Sequence, residues 1–206
     1  MDPLLAGERM DDTGWPGRAH EINPVTGLDA PIPLTTDRMI TAVTKDWDPP
    51  QPRGTPEIVV RGRTLAEVAD ALNRLNEWGD GGGILRTDRV PVGTSASVTV
   101  SAHANLVLRV PRWANYGTAS TAAKAEWDRM VGLLRVHEQR HLDIAIEEAN
   151  NLARDLVGQE IGQIAPMVTE ANRRMNRRQI EMDNDSDHGA RTGVPYGDVI
   201  LDTSIV

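Results

Sequence analysis

The stretch Trp127-Asp128-Arg129-Met130-Val131-Gly132-Leu133-Leu134-Arg135-Val136-His137-Glu138-Gln139-Arg140-His141-Leu142-Asp143-Ile144-Ala145 decides how the rest of the chain is read. Trp127, Met130, Val131, Leu134, His141, Ile144, Ala145 and Glu148 recur at helical spacing, which predicts one long helix from about 120 to 157. His137 and His141 lie four residues apart, so they project about 40° from each other and one turn along. Imidazoles so placed can share one tetrahedral Zn2+. Glu138 then leans toward the open side of the ion, where a carboxylate takes a proton from water and passes it to a leaving amine. With this chain's His and Glu content, His-Glu-x-x-His arises by chance about 0.007 times per chain. The bland alternative is a polar stripe paired with its neighbours. It is disfavoured because the histidines fall in line with the apolar face, where unpaired imidazoles are costly to bury.

Before this helix the period is that of strands. Thr36 to Lys45 reads as a first strand, and Asp48-Pro49-Pro50-Gln51-Pro52-Arg53-Gly54 as a loop, since proline removes donors and fixes φ. Glu57-Ile58-Val59-Val60-Arg61 is a short β-branched run. Thr64 with Glu67 then forms a capping box for a helix whose apolar residues are Leu65, Val68, Ala69, Leu72 and Leu75, stopped by Gly79-Asp80-Gly81-Gly82-Gly83. Alternation in Ser97-Val98-Thr99-Val100-Ser101 and in Leu106-Val107-Leu108-Arg109-Val110 predicts antiparallel strands turning near Ala104-Asn105. After the motif helix a second helix is expected over roughly 163–181, leading into Asp183-Asn184-Asp185-Ser186-Asp187-His188-Gly189. The fold class is therefore α+β, zincin-like: a small antiparallel sheet, the long motif helix and a further C-terminal helix. The expected organisation is an irregular N-terminal arm over 1–55, the α+β domain over 56–195 and a tail over 196–206.

Composition narrows the function. The net charge of −8 opposes phosphate-backbone binding, so nucleic acid is not expected as a partner. Arg173, Arg174, Arg177 and Arg178, at helical spacing beside Glu170 and Glu181, read as a solvated helix face. There is no apolar run of membrane-spanning length and no standard signal peptide at the start, so the expectation is a soluble chain, cytoplasmic at synthesis, reaching an export or virion destination only by another route. The absence of cysteine leaves five histidines and the carboxylates to hold any metal.

For the third ligand, Glu148 lies seven residues beyond His141, roughly 10 Å along the axis at 1.5 Å per residue, and suits packing or orientation. His20 stands in a turn-rich segment, and His103 reads as a hydrogen-bonded strand histidine. His188 follows the second helix in a glycine-bearing loop that an antiparallel return brings back toward the motif, which makes it the expected third ligand. Asp183, Asp185 and Asp187 are candidates to orient imidazoles through their second ring nitrogen. Calcium is the alternative for these aspartates, although the run lacks the Gly and distal Glu of an EF-hand loop.

The order of these features resembles the predicted secreted zinc-dependent peptidases catalogued as domain of unknown function 922. The resemblance runs through a Val-x-Gly-x-Thr-x-x-Glu motif at Val60 to Glu67, Pro111-Arg112-Trp113, the His137 to His141 motif and a late Asp-x-x-Ser-x-His-Gly at Asp183 to Gly189. It covers roughly residues 57–194. Met182 stands where that pattern has Tyr, and Tyr196 downstream is a candidate donor to an oxyanion. The resemblance implies His137 and His141 as zinc ligands, Glu138 as catalytic base and His188 as third ligand, acting on a peptide or protein substrate. The competing expectation is an assembly component of a phage or injection apparatus, with the proline-rich N-terminal arm meeting its partner and the metal only stapling helices.

Overall fold

The computed structural model describes residues 20–22, 29–31, 39–46, 58–92, 95–101 and 107–205. The chain divides into two units, Met1–Thr36 and Asp37–Val206. In the first, β1 (His20–Ile22) and β2 (Asp29–Pro31) pair antiparallel.

The second unit is α+β. Its strands are β3 (Ile40–Asp46), β4 (Val59–Val60), β5 (Asp80–Gly82), β6 (Arg86–Val92), β7 (Ser95–Ser101), β8 (Val107–Arg109) and β9 (Arg112–Trp113). Its helices are α1 (Leu65–Leu72), α2 (Thr121–Leu156) and α3 (Ile164–Ser186). They form a three-stranded sheet in the order β3-β7-β6 and two-stranded pairs β4-β9 and β5-β8. The sheet is mixed where an antiparallel one was expected, because β3 runs parallel to β7. The expected pairing of the runs 97–101 and 106–110 also gives way. Only two residues separate β6 from β7, and that short connection makes β6 the antiparallel partner of β7. The second run pairs instead as β8 with the glycine-rich β5. The turn expected at Ala104-Asn105, and His103 with it, lies outside the described residues.

At α1 the Thr64 hydroxyl accepts from the Glu67 N–H at 3.3 Å, while the Glu67 carboxylate accepts from the Arg63 N–H. The capping box thus closes one residue before the cap. The first two motif stretches meet in space, since β4 pairs with β9 and the Trp113 indole donates to the Gly62 carbonyl at 2.8 Å.

Helix α2 organises the unit. Ser120 caps it, accepting from the Ala123 N–H at 3.1 Å, and its 36 residues span about 54 Å at 1.5 Å per residue. Two apolar cores share this helix. Trp127, Met130 and Leu134 pack with α1, Trp113, Val199 and Leu201. Directly past the histidines, Leu142, Ala145, Ala149 and Leu152 pack with Ile40, Leu85 and the α3 residues Ala171, Met175 and Met182. Val199 and Leu201 belong to the stretch set apart above as a tail; both are buried.

The α2–α3 contact also holds a buried carboxylate. Glu148, 4% exposed, accepts from Arg174 at 3.1 Å and Arg178 at 2.8 Å, while Arg178 also pairs with Glu147. Half of the arginine cluster read as a solvated face therefore ties two helices together. Arg173 and Arg177 do lie outward, paired with Glu170. Among the described residues no helix is long and apolar enough to cross a membrane.

Candidate metal centre

The motif lies on α2 between the two cores. His137, Glu138 and His141 are 4%, 7% and 8% exposed, whereas the intervening Gln139 and Arg140 bond along the outer face to Asp143 and Glu147. Helical spacing thus divides the motif as the sequence suggests, with its chemistry turned inward.

The residue that completes the group is Asp183. Its Oδ1 lies 3.1 Å from His141 Nε2 and 3.4 Å from His137 Nε2. Ligand atoms of the three residues all fall within 4.8 Å of one another. A tetrahedral ion with bonds of about 2.0–2.1 Å keeps its ligands about 3.3 Å apart, so the two His–Asp separations suit a shared ion. The donors are two imidazole nitrogens and one carboxylate oxygen, a set that divalent transition metals accept. His137, His141 and Asp183 can therefore hold a metal ion.

His188, expected as the third ligand, is not in this group. It is exposed, in the left-handed conformation with φ 51°, and its N–H donates to the Asp183 carbonyl at 2.8 Å. The reason is that α3 runs to Ser186, one turn beyond the expected end. That extra turn places Asp183 on the helix face opposite α2 and leaves His188 in the turn that ends it. Ser186, fully buried, secures the turn: its hydroxyl donates to the Met182 carbonyl at 2.8 Å and accepts from the Gly189 N–H at 3.2 Å. In the Asp-x-x-Ser-x-His-Gly motif, then, Asp183 faces the histidines and Ser186, His188 and Gly189 shape the helix end. The group does not include Asp185 or Asp187, both exposed.

The partner of the second ring nitrogen is also not an aspartate. His137 Nδ1 lies 2.9 Å from the Tyr196 carbonyl oxygen. A carbonyl only accepts, so Nδ1 carries a proton, which leaves Nε2 as the nitrogen available to a metal ion. Burial holds the His141 imidazole below its ordinary pKa, opposed by the neighbouring Asp183 charge. The burial suits a neutral imidazole ligand at His141.

Glu138, between the two histidines on α2, packs against the glycine-rich segment. Burial pushes its carboxyl up to about 8, and the charges of Asp80, Glu77 and Asp183 add to the rise, while the Gly81 N–H donates to it and opposes. The close approach requires glycine. A Cβ at Gly79 would stand 2.5 Å from Glu138 Oε1, and one at Gly81 would fall inside contact distance of the Glu138 backbone carbonyl. Gly79 and Gly81, read above only as a helix stop, therefore form the wall against which Glu138 is packed. Asp80 between them pairs with Arg109 on β8.

No curated protein and no solved structure matches the chain. The model of a bacterial protein family of unknown function, DUF922, matches residues 57–189, which takes in β4, α1, the motif helix and α3 with Asp183. With more than half of its length matched, the chain belongs to the bacterial family DUF922, whose function is unknown.

Proposed function

We propose that the protein is a zinc-dependent hydrolase and that its substrate is a peptide bond. The observation that carries this reading is the convergence of His137 Nε2 and His141 Nε2 on Asp183 Oδ1 with Glu138 beside them on the same helix. His137, His141 and Asp183 hold the ion; Zn2+ is the choice because the donor set is nitrogen and oxygen in a tetrahedral spacing. When bound, the ion supplies Lewis-acid polarisation of a carbonyl and activation of water. Glu138 accepts the proton from the attacking water and delivers it to the leaving amine. A carboxyl held near 8 in the metal-free site is a poor base at neutral pH, but a nearby dication lowers it toward the ionised form that the role requires. Peptide substrates follow from the His-Glu-x-x-His arrangement, and a zincin-like fold is read on the same ground.

The test is metal content and peptide hydrolysis by the wild type beside Asp183→Asn and Glu138→Gln. Asp183→Asn is expected to weaken zinc retention, and Glu138→Gln to keep zinc while losing turnover. Turnover retained by Glu138→Gln refutes the assigned base. A second reading, an assembly protein whose metal only staples α2 to α3, draws on the burial of His137, Glu138 and His141. A cobalt-substituted protein separates the two, because a structural site is closed to water and added anions and a catalytic one is open.

A further inference from the structure

The carboxy-terminal segment past the family match reaches the metal centre, and several contacts fix its path. Val199 and Leu201 are buried in the core at the amino-terminal half of α2. Arg129 on α2 donates to the Asp198 carbonyl at 3.2 Å and to the Ile200 carbonyl at 2.5 Å. Its partner Glu126, 7% exposed, accepts from Arg129 at 2.7 and 2.8 Å and from the Asp202 N–H at 2.8 Å. Side chains two and three turns ahead of His137 therefore grip the backbone of residues 198–202.

A tight turn follows from that grip. Tyr196 and Asp198 both take the left-handed conformation, each with φ 62°, around the buried Gly197. Bulky residues rarely occupy that region, and the surrounding structure has to impose it. The Asp198 N–H donates to the Arg191 carbonyl at 3.1 Å, and a Cβ at position 197 would overlap that same carbonyl. The Val199 N–H donates to the Gly189 carbonyl at 2.8 Å, which joins the strap to the end of α3. The outcome is the Tyr196 carbonyl aimed at His137 Nδ1, 2.9 Å away.

We propose that Tyr196–Asp202 is a positioning strap, fastened by the Glu126–Arg129 pair, that fixes the tautomer and ring orientation of His137 so that Nε2 faces His141 and Asp183. Its purpose rests on the metal reading above, because a buried imidazole ligand needs its second nitrogen held by an acceptor. Glu126 and Arg129 touch neither ligand atom and act through the strap, as positioning residues. Gly197 acts the same way, by permitting the turn.

The experiment compares wild type, Gly197→Ala and Arg129→Met, using nitrogen-15 spectra of the histidine rings in chelator-treated protein at alkaline pH together with zinc affinity by chelator competition. Wild-type His137 is expected in the Nδ1–H form alone. Both variants should show a mixture of tautomers at His137, with His141 unchanged, and zinc affinity lowered by about 10- to 100-fold. Restoring the guanidinium's charge alone, in Arg129→Lys, should recover the Glu126 contact but not the full zinc affinity. A pure Nδ1–H form persisting in both variants overturns the proposal, as does zinc affinity within twofold of wild type. The wild-type arm separates the two claims: failure to take up zinc there overturns the metal reading, while the ring spectra continue to decide the strap.

Discussion

Replacing Glu138 by Gln in metal-free protein tests the electrostatics of the centre directly. The Glu138 carboxyl is raised from 4.5 to about 8, so the folded protein holds a proton that the unfolded chain releases above pH 4.5. The unfolded state therefore binds fewer protons between these values, and stability falls as pH rises across the window, levelling off above pH 8. At about 1.36 kcal/mol per unit, the penalty relative to an uncharged isostere grows from roughly 1 kcal/mol at pH 5 to roughly 4–5 kcal/mol at pH 9, an order-of-magnitude figure. Gln keeps the shape against Gly79 and an oxygen for the Gly81 N–H but does not ionise. Urea unfolding of chelator-treated wild type and Glu138→Gln at unit steps from pH 5 to 9 should thus give curves that diverge, with the variant the more stable at high pH. Zinc should narrow the gap, because a dication stabilises the ionised carboxylate that Gln lacks. Parallel curves, separated by a constant within about 0.5 kcal/mol, would refute the claim that burial sets this group's behaviour.

Asp183→Ala should reduce bound zinc far more than His188→Ala, measured by elemental analysis after dialysis; the reverse order would return the third-ligand role to His188. Gly81→Ala should cost about 1–3 kcal/mol, read in urea unfolding, because the added methyl meets the α2 backbone at Glu138, which cannot swing aside as a side chain does. Glu148→Ala should destabilise by about 1–2 kcal/mol, because Arg174 and Arg178 lose their shared carboxylate but stay partly solvated and Arg178 keeps Glu147, and a change under about 0.5 kcal/mol would make the inter-helix clamp incidental.

Periodicity carried most of the helical architecture. The apolar spacing from Trp127 to Ala145 located α2 to within a residue at each end, and Thr64 with Glu67 located α1. Those signals are local, since each residue's face follows from its own position in a helix. Strand partners were not legible in the same way, because the alternation in Ser97–Ser101 says which residues share a face but not which run lies alongside. The centre divides along the same line. His137, Glu138 and His141 come from one helix and could be read together, whereas Asp183 and the Tyr196 carbonyl arrive from separate segments. Asp183 was in view only as an orienting group, because the polar run from Asp183 to Asp187 resembles a turn. Continuing the spacing of Ala171, Met175 and Met182 through buried Ser186 would have kept it in the helix. The Tyr196 contact is a backbone group, and side-chain patterns carry no signal for it. Gly79 and Gly81 were visible as glycines, but the neighbour that demands them lies nearly sixty residues away.

Two donors of the centre ride on one rigid rod and the third on another, so the size of the opening they enclose is a distance between helices. The buried Glu148, gripped by Arg174 and Arg178, is a spacer in that gauge. It stands about 10 Å along α2 from His141 at 1.5 Å per residue, far enough to leave the ligands themselves untouched. A substitution there changes how the rods are held together without altering the identity of any donor.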